Sequence, residues 1–115
     1  YTSPEIASVG KTQDALEKAG TPFKSGSFQF KGNGRAMAHG ENDGLVKVLA
    51  HAETDALLGV HIIGPWASEL IGQAAVAMSA KMTAARFAQV CAAHPTLGEA
   101  LREAALAVSG KAIHA

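Results

Sequence analysis

The chain contains 115 residues, of which 48% are hydrophobic and 17% are charged, and this length corresponds to one small domain. Ten basic and ten acidic side chains cancel to a formal net charge of zero, which argues against nucleic-acid binding because that function relies on a basic excess. A single cysteine excludes an intrachain disulfide, and no apolar run is long enough to cross a membrane. Since the first residues also lack a secretion-signal pattern, we expect a soluble, cytoplasmic protein.

The first segments combine short strands with one helix. Ile6–Val9 is a short apolar stretch, and Thr12–Ala19 is typical of a helix that its first residue caps and Gly20 ends. Phe28 and Phe30 alternate with polar residues at period two, which predicts a half-buried strand.

A β-hairpin is predicted in the middle of the chain. Leu45–His51 and Leu57–Ile63 place apolar side chains at alternate positions, and the short AETDA stretch between them suits a tight connection. Strands joined in this way are antiparallel, so one sheet face can pack against helices while the other meets solvent. We therefore predict a two-layer α+β domain, an antiparallel sheet packed against helices, with a helix-rich C-terminal half. The side chains expected on the packed faces are Val46, Val48 and Ala50 in the first strand and Leu58, Val60 and Ile62 in the second.

The apolar period lengthens to three and four residues after the Gly64-Pro65 pair, which predicts helices from there on. Ser68 is the expected N-cap of the first of them. A short second helix is expected to start at Thr83 and to carry Phe87 and Val90. The apolar stripe of the first helix consists of Leu70, Ile71, Ala74, Ala77, Met78 and Met82.

The third predicted helix has the clearest boundaries. Thr96-Leu97-Gly98-Glu99 has the Thr-x-x-Glu form of a capping box. Leu101, Ala105 and Val108 follow on one helical face, and Gly110 stands where the helix would stop.

Alanine is unusually abundant in the predicted helical half. The chain has 24 alanines, and 16 of them lie in residues 67–115. Such small side chains outnumber what the thin core needs and allow helices or a partner to approach closely. We therefore predict that this half carries the contact surface of an oligomer.

His94 and Glu99 are the candidate catalytic pair. Imidazole titrates near neutral pH, and a carboxylate bonded to one ring nitrogen fixes its tautomer and raises its basicity. The alternative is that Glu99 folds back on Thr96 as a capping partner while His94 is an ordinary loop residue, and spacing alone favours this alternative. Pro95 follows His94 and adds a peptide bond that is readily cis, although the sequence does not decide its isomer.

The turn Lys31-Gly32-Asn33-Gly34-Arg35 is a candidate phosphate-binding nest flanked by two cations. Met37, however, replaces the third glycine of a dinucleotide fingerprint, so a simple strand-ending turn is favoured.

The remaining reactive side chains suggest no metal site. His51 and His61 are expected on neighbouring strands on the less apolar face, but without a third ligand solvated histidines are favoured, and His39 and His114 have no helical pairing. Cys91 is interpreted as a small buried apolar residue, since nothing adjacent would stabilise its thiolate. Trp66 is either a partial core anchor or an interface anchor. The sequence leaves the choice between these two roles of Trp66 open.

Five sequence motifs occur along the chain in an order that resembles the pattern of a known protein family. They are Tyr1-Thr2-Ser3-Pro4-Glu5-Ile6-Ala7-Ser8-Val9-Gly10, Gly34-Arg35-Ala36, Asp43-Gly44-Leu45-Val46-Lys47-Val48, Leu58-Gly59-Val60-His61-Ile62 and His94-Pro95-Thr96-Leu97-Gly98-Glu99-Ala100. From end to end, residues 1–115 resemble the C-terminal dimerisation (interface) domain of the flavin-dependent pyridine nucleotide-disulfide oxidoreductases, and most closely the branch that oxidises dihydrolipoamide.

The resemblance implies a role for His94 as the acid-base residue of dithiol-disulfide exchange, held and polarised by Glu99. It implies a homodimer in which His94 reaches into the partner's active site and the His94-Pro95 backbone contacts the partner's FAD. FAD and NAD would belong to N-terminal domains absent from this chain, so the fragment alone would be inactive. The acyltransferase component of a 2-oxoacid dehydrogenase complex is a further implied partner, and the location would be the mitochondrial matrix if the source is eukaryotic.

The motifs depart from the family pattern in three places: Gly98 stands where Ser is usual, Ala92 where a second His is frequent, and Trp66 in a variable position. Two alternatives stay open. One is the interface domain of a related reductase, such as a glutathione reductase, and the other is a stand-alone homodimeric module whose His-Glu pair is structural.

Overall fold

The computed structural model describes residues 5–30, 44–64, 66–90 and 98–109. Its strands form one antiparallel sheet in the order β1-β4-β3-β2. The strands are β1 (Glu5–Gly10), β2 (Phe23–Gln29), β3 (Leu45–His51) and β4 (Leu57–Gly64). The helices are α1 (Gln13–Ala19), α2 (Ala67–Ser79), α3 (Ala84–Val90) and α4 (Glu99–Ala107). Across these ranges, no helix is both long and apolar enough to cross a bilayer.

The sheet and the C-terminal helices form the predicted α+β arrangement. The β3–β4 hairpin is confirmed, and β1 and β2 pair with its outer sides. Helix α2 packs against β1 and β4, α4 packs against β2 and β3, and α3 packs against α4. Helix α1 lies on the opposite sheet face, where Lys47 Nζ donates to Gln13 Oε1.

The core lies between the sheet and helices α2 to α4. Val46, Val48, Val60 and Ile62 are fully buried on the sheet side, as the alternation predicts, and each such side chain contributes about 1.5–3 kcal/mol. Phe87 supplies the largest buried side chain of α3. Eight alanines complete the helix side of the core: Ala67, Ala74, Ala77, Ala84, Ala88, Ala100, Ala104 and Ala105.

Packing inside the domain accounts for these eight alanines, and the prediction that the alanine-rich half carries a partner surface stays a prediction. They are buried against the chain's own sheet and helices, so their small size serves close packing inside the domain. The closeness is visible at Gly26 of β2, where an added Cβ would lie 2.3 Å from Val108 N and 2.5 Å from the Ala104 carbonyl oxygen. Helix α4 therefore rests almost directly on the strand backbone.

A β-bulge changes the predicted face of β4. The register shifts between Leu49 and Ala50, so Ala50 pairs with Leu57, while Leu49 pairs with Gly59. Leu58 is the extra residue, and Leu57 takes the place in the core that the alternation assigns to Leu58. The prediction is right for Val60 and Ile62 and wrong for Leu58.

The N-termini of the helices are capped in two ways, by residues nearby in the sequence and by residues far away in it. Thr12 caps α1 as predicted, its Oγ1 accepting from Ala15 N at 3.1 Å, and Gly20 ends the helix in the left-handed conformation. Ser68 is not the cap of α2, because Trp66 occupies that position without a side-chain bond and Glu5 Oε1 accepts from Ser68 N at 3.0 Å. The cap of α2 thus comes from β1.

Helix α3 begins one residue later than predicted. Thr83 Oγ1 accepts from Arg86 N at 3.1 Å and so caps the helix instead of starting it. Asp55 adds a second, distant cap, since its Oδ2 accepts from Ala85 N at 2.9 Å. Of the two apolar residues predicted on α3, Phe87 is buried and Val90 is 52% exposed.

Candidate functional site

Helix α4 positions Glu99. Leu101, Ala104 and Val108 are buried against the sheet, which fixes the helix axis, and Glu99 is the half-buried first residue of that helix. Buried Gly98 occupies the N-cap position without a side-chain bond, and its carbonyl oxygen accepts from Leu101 N at 3.1 Å. A carboxylate in the first turn is favoured by the partial positive charge of the helix start. Glu99 is therefore held at a defined place in the first turn of α4.

The other members of the predicted motif lie outside the described residues. This applies to His94 and Pro95, to the predicted Thr96 cap, and to Gly110 at the expected helix stop. It also applies to the Lys31–Arg35 turn and to Cys91, His39 and His114. Of the predicted His94–Glu99 pair, the structure thus describes only Glu99, and the contact between the two residues stays a prediction.

Glu103 is an acidic residue of this region that sequence reasoning missed. It lies one turn after Glu99, is 1% exposed, and its Oε2 is 3.5 Å from Arg102 Nη1. Burying a carboxylate destabilises the folded state unless hydrogen bonds or cations compensate, so the burial of Glu103 depends on its neighbours. Its signal in the sequence is the i, i+4 spacing from Glu99, which puts both carboxylates on one side of α4.

Asp55 is a second residue that sequence reasoning missed. It lies at the tip of the hairpin with a φ of 65°, and its Oδ1 is 2.9 Å from Lys24 Nζ. Its carbonyl oxygen also accepts from Ala84 N at 2.9 Å. Asp55 thereby ties the hairpin and β2 to the start of α3, the helix that directly precedes the segment containing His94.

A cleft of about 640 Å³ lies between the hairpin, α3 and α4. Among the residues that the structure describes, its polar lining consists of Lys24, Asp55, Gln89, Arg102 and Ser109. Lys24 is paired with Asp55, and Arg102 lies beside Glu103, so both cations of the lining have acidic neighbours within the chain.

The two described histidines stabilise the sheet and its turn. His51 Nδ1 accepts from the backbone N–H groups of Glu53 at 3.1 Å and Thr54 at 3.4 Å. His61 Nε2 donates to the Lys11 carbonyl at 2.8 Å, which leaves Nδ1 to accept from the Ser8 hydroxyl at 2.9 Å. Both are half-buried, so the expectation of freely solvated histidines is replaced by a structural one. Within residues 5–30, 44–64, 66–90 and 98–109, no group of three or more His, Cys, Asp or Glu side chains is arranged to hold a metal ion.

Comparison with known proteins identifies the family. The pyridine nucleotide-disulphide oxidoreductase dimerisation domain matches residues 1–105. The chain belongs to this dimerisation-domain family. The resemblance inferred from the motifs is thereby confirmed, and it now covers α1 to α4 and all four strands except for the last residues of α4.

Relatives of this dimerisation domain include dihydrolipoyl dehydrogenases. Dihydrolipoyl dehydrogenase 1 of Arabidopsis thaliana mitochondria is 51% identical over 99% of this chain, which covers 22% of that protein. The mitochondrial dihydrolipoyl dehydrogenase of Rattus norvegicus is 49% identical over 99% of the chain and 23% of that protein. The chain thus spans less than a quarter of the length of these relatives.

Solved structures share the dimerisation-domain fold. LpdA from Mycobacterium tuberculosis aligns with a TM-score of 0.84 and 32% identity over 91% of this chain and 23% of that one. The flavoprotein disulfide reductase RclA from Escherichia coli aligns with a TM-score of 0.83 over 90% of this chain and 24% of that one, and at 19% identity this likeness shows the fold alone.

Proposed function

We propose that residues 1–115 are the interface domain of a homodimeric flavoprotein that oxidises dihydrolipoamide with NAD⁺. The observation that carries the proposal is the identity of 49–51% to dihydrolipoyl dehydrogenases along 99% of the chain. The chain contains no Gly-x-Gly-x-x-Gly fingerprint, so we assign the FAD- and NAD-binding domains to the remainder of a longer protein. Mitochondrial relatives favour the matrix as the location if the source is eukaryotic.

In this proposal His94 is the acid-base residue. Its imidazole removes a proton from one thiol of dihydrolipoamide, and the resulting thiolate attacks the redox disulfide of the partner subunit, which breaks that S–S bond and forms a mixed disulfide. The second thiol of the substrate then displaces the enzyme sulfur, which leaves lipoamide and an enzyme dithiol. Glu99 accepts a hydrogen bond from the other ring nitrogen, which fixes the tautomer and stabilises the protonated imidazole. The position of Glu99 in the anchored first turn of α4 supports this role, because the carboxylate then needs little reorganisation.

The cofactors and further partners belong to the same proposal. FAD, when bound, would supply the two-electron chemistry that connects the enzyme dithiol with NAD⁺. The His94-Pro95 backbone would contact FAD in the partner subunit, and the homodimer would then be the active unit. The acyltransferase component of a 2-oxoacid dehydrogenase complex is proposed to dock near the two-fold axis.

The test compares two histidine variants in the full-length protein. We expect His94→Gln to lower turnover of dihydrolipoamide about 10²- to 10⁴-fold, the usual contribution of a general acid-base group, while flavin absorbance stays at one FAD per subunit. His61→Gln is the matched control, since His61 lies on β4 in hydrogen bonds to Ser8 and Lys11. Unchanged turnover in His94→Gln would remove His94 from the mechanism. Faster reduction of glutathione disulfide than of lipoamide by the wild type would instead assign the chain to another reductase.

A further inference from the structure

Asp55 connects the tip of the β3–β4 hairpin to the first turn of α3. Its carbonyl oxygen accepts from Ala84 N at 2.9 Å, and its carboxylate Oδ2 accepts from Ala85 N at 2.9 Å. The first N–H groups of a helix have no partner within the helix, so a residue that lies 30 positions before Ala85 satisfies two of them.

The main chain around Asp55 is itself held in place. Asp55 N donates to the His51 carbonyl at 3.0 Å, and His51 N donates to the Ala56 carbonyl at 2.9 Å. Ala56 also pairs with Thr83 in an isolated antiparallel bridge. The second carboxylate oxygen of Asp55, Oδ1, lies 2.9 Å from Lys24 Nζ of β2. The anchor of α3 is therefore fixed to the sheet.

Side-chain packing fixes the position of α3 along its own axis less firmly. The buried residues of α3 are Ala84, Phe87 and Ala88, and the neighbouring α4 buries Ala104 and Ala105. Helices interlock through side chains that form ridges and grooves, and a methyl group makes a low ridge. The bonds from Asp55 therefore determine where α3 starts and, over its seven residues, where it ends.

Helix α3 directly precedes the segment that contains the proposed acid-base residue. It ends at Val90, four positions before His94, and α4 begins with Glu99, five positions after His94. The two helices pack against each other, so their ends define the places between which this segment runs. Since a displacement of about 1 Å in a reacting group can lower a rate about 10²-fold, a shift of α3 would lower the rate of proton transfer.

We infer that Asp55 is a positioning residue for the acid-base reaction and acts through α3. The inference rests on the proposed function, which assigns proton transfer to His94. The carboxylate of Asp55 fixes the first turn of α3 and thereby the place from which the chain continues towards His94. The hydrogen bond to Ala85 carries this role, because a partly exposed ion pair such as Lys24–Asp55 contributes little.

Two substitutions separate the side chain of Asp55 from its backbone. Asp55 has a φ of 65°, a left-handed conformation that Gly and Asn adopt readily. Asp55→Gly removes the acceptor for Ala85 N and keeps the backbone carbonyl that binds Ala84 N. Asp55→Asn keeps a side-chain acceptor oxygen and removes only the charge.

Glu5 provides the matched control. Its carboxylate also accepts a hydrogen bond from a backbone N–H at the start of a distant helix, since Oε1 lies 3.0 Å from Ser68 N. That helix is α2, which packs against β1 and β4. Glu5→Ala therefore removes a distant carboxylate cap without changing the start of α3.

The experiment compares two reactions of the full-length protein with bound FAD. Oxidation of dihydrolipoamide by NAD⁺ requires a thiol to lose its proton, whereas reduction of dichlorophenolindophenol by NADH transfers two electrons to the dye without a thiol substrate. We expect Asp55→Gly to lower kcat of the first reaction roughly 10- to 100-fold and to leave the second within about two-fold. Asp55→Asn and Glu5→Ala should stay within about three-fold of the wild type in both reactions, since each leaves the first turn of α3 capped.

The pH profile gives a reading that a loss of stability alone would not produce. Free thiols ionise with a pKa of about 8.5, so dihydrolipoamide supplies more of its own thiolate as the pH rises. The deficit of Asp55→Gly in dihydrolipoamide oxidation should therefore be smaller at pH 9 than at pH 7. An equal deficit at both pH values would locate the defect outside proton removal and contradict the inference.

The outcomes separate this inference from the proposed function. Unchanged dihydrolipoamide turnover in His94→Gln would overturn the proposed acid-base role and this inference with it. A deficit in His94→Gln without one in Asp55→Gly would overturn the role of Asp55 and leave the proposed function intact. Equal losses of both reactions in Asp55→Gly, or a similar loss in Glu5→Ala, would assign Asp55 to stability alone.

Discussion

At the scale of single residues, two glycines differ in the space around them. Gly26 of β2 lies against the backbone of α4, whereas Gly72 of α2 faces open space. A Cβ on Gly26 would lie 2.3–2.6 Å from backbone atoms of Val108, Ala104 and Ala107, whereas a Cβ on Gly72 would meet nothing within 4 Å. Backbone atoms cannot rotate away, so we expect Gly26→Ala to lower the free energy of unfolding by about 3 kcal/mol. Gly72→Ala, in the exposed middle of α2, should raise it by about 1 kcal/mol through helix propensity.

Urea denaturation of the two variants provides the measurement. Opposite signs for the same chemical change would show that the contact with α4, and not glycine replacement as such, determines the loss. If Gly26→Ala were as stable as the wild type, α4 would rest farther from β2 than the structure places it.

Sequence alone predicts residue-level features whose cause lies within a few positions. Thr12 and Gly20 bound α1 as expected because a side-chain cap and a left-handed glycine act locally. The exchange of Leu58 for Leu57 in the core was not predictable, because a bulge is determined by the register between two strands. The close approach to Gly26 likewise depends on a helix more than 70 residues away in the sequence.

At the scale of elements, the contact between β1 and α2 should give stability a specific pH dependence. The carboxylate of Glu5 accepts a hydrogen bond from the Ser68 backbone N–H, and this bond is the main cause that lowers the pKa of Glu5 from 4.5. A hydrogen bond from the Ser68 side chain lowers it further. A carboxyl group with a lower pKa in the folded state adds stability above its unfolded pKa and loses it as the pH falls through the folded pKa. The wild type should therefore lose this contribution below about pH 4.5.

Glu5→Gln tests this contact by denaturation at pH 6.5 and pH 3. The variant should be less stable than the wild type at pH 6.5, and the difference should be smaller at pH 3, because the stabilisation declines as the pH falls below the unfolded pKa of 4.5 towards the lower folded pKa. Ser68→Ala is the control, because it keeps the backbone N–H and should retain most of the pH dependence. A constant difference between Glu5→Gln and the wild type at both pH values would contradict the assigned bond.

The order of strands and helices was predictable because periods of two and of three to four residues distinguish them. Helix caps were predictable only in part. Thr83 caps α3 from the adjacent position, but Glu5 and Asp55 cap α2 and α3 from β1 and from the hairpin tip. No local pattern reveals a cap that the fold brings from 30 or 63 positions away.

At the scale of the whole molecule, the proposed function predicts complementation between two inactive subunits. One full-length variant carries His94→Gln, and the other carries intact His94 but lacks a redox cysteine outside this chain. Random reassociation of equal amounts makes half of the dimers mixed, and each mixed dimer contains one complete site of two, so activity should recover to about a quarter of the wild type.

Dihydrolipoamide oxidation after mixing and dilution measures this recovery. Each variant alone, treated in the same way, provides the baseline. No recovery in a mixture that demonstrably contains mixed dimers would mean that His94 acts within its own subunit.

The candidate site was predictable to the extent that it is a contiguous motif, His94-Pro95-Thr96-Leu97-Gly98-Glu99. The burial of Glu103 was not predictable, because it depends on how α4 packs in the fold. The alanine excess indicated close packing correctly, and eight of these alanines lie in the core, but a small side chain is suited equally to a core and to an interface.

The Asp55 turn has a consequence for motion. Helix α3 has seven residues, too few to persist in water without support, and its first two N–H groups are bonded to the Asp55 carbonyl and carboxylate. An opening fluctuation of the hairpin tip therefore releases the start of α3, so the two form one cooperative unit in local unfolding. Local unfolding of α3 therefore begins in a turn that lies about 30 positions earlier in the sequence.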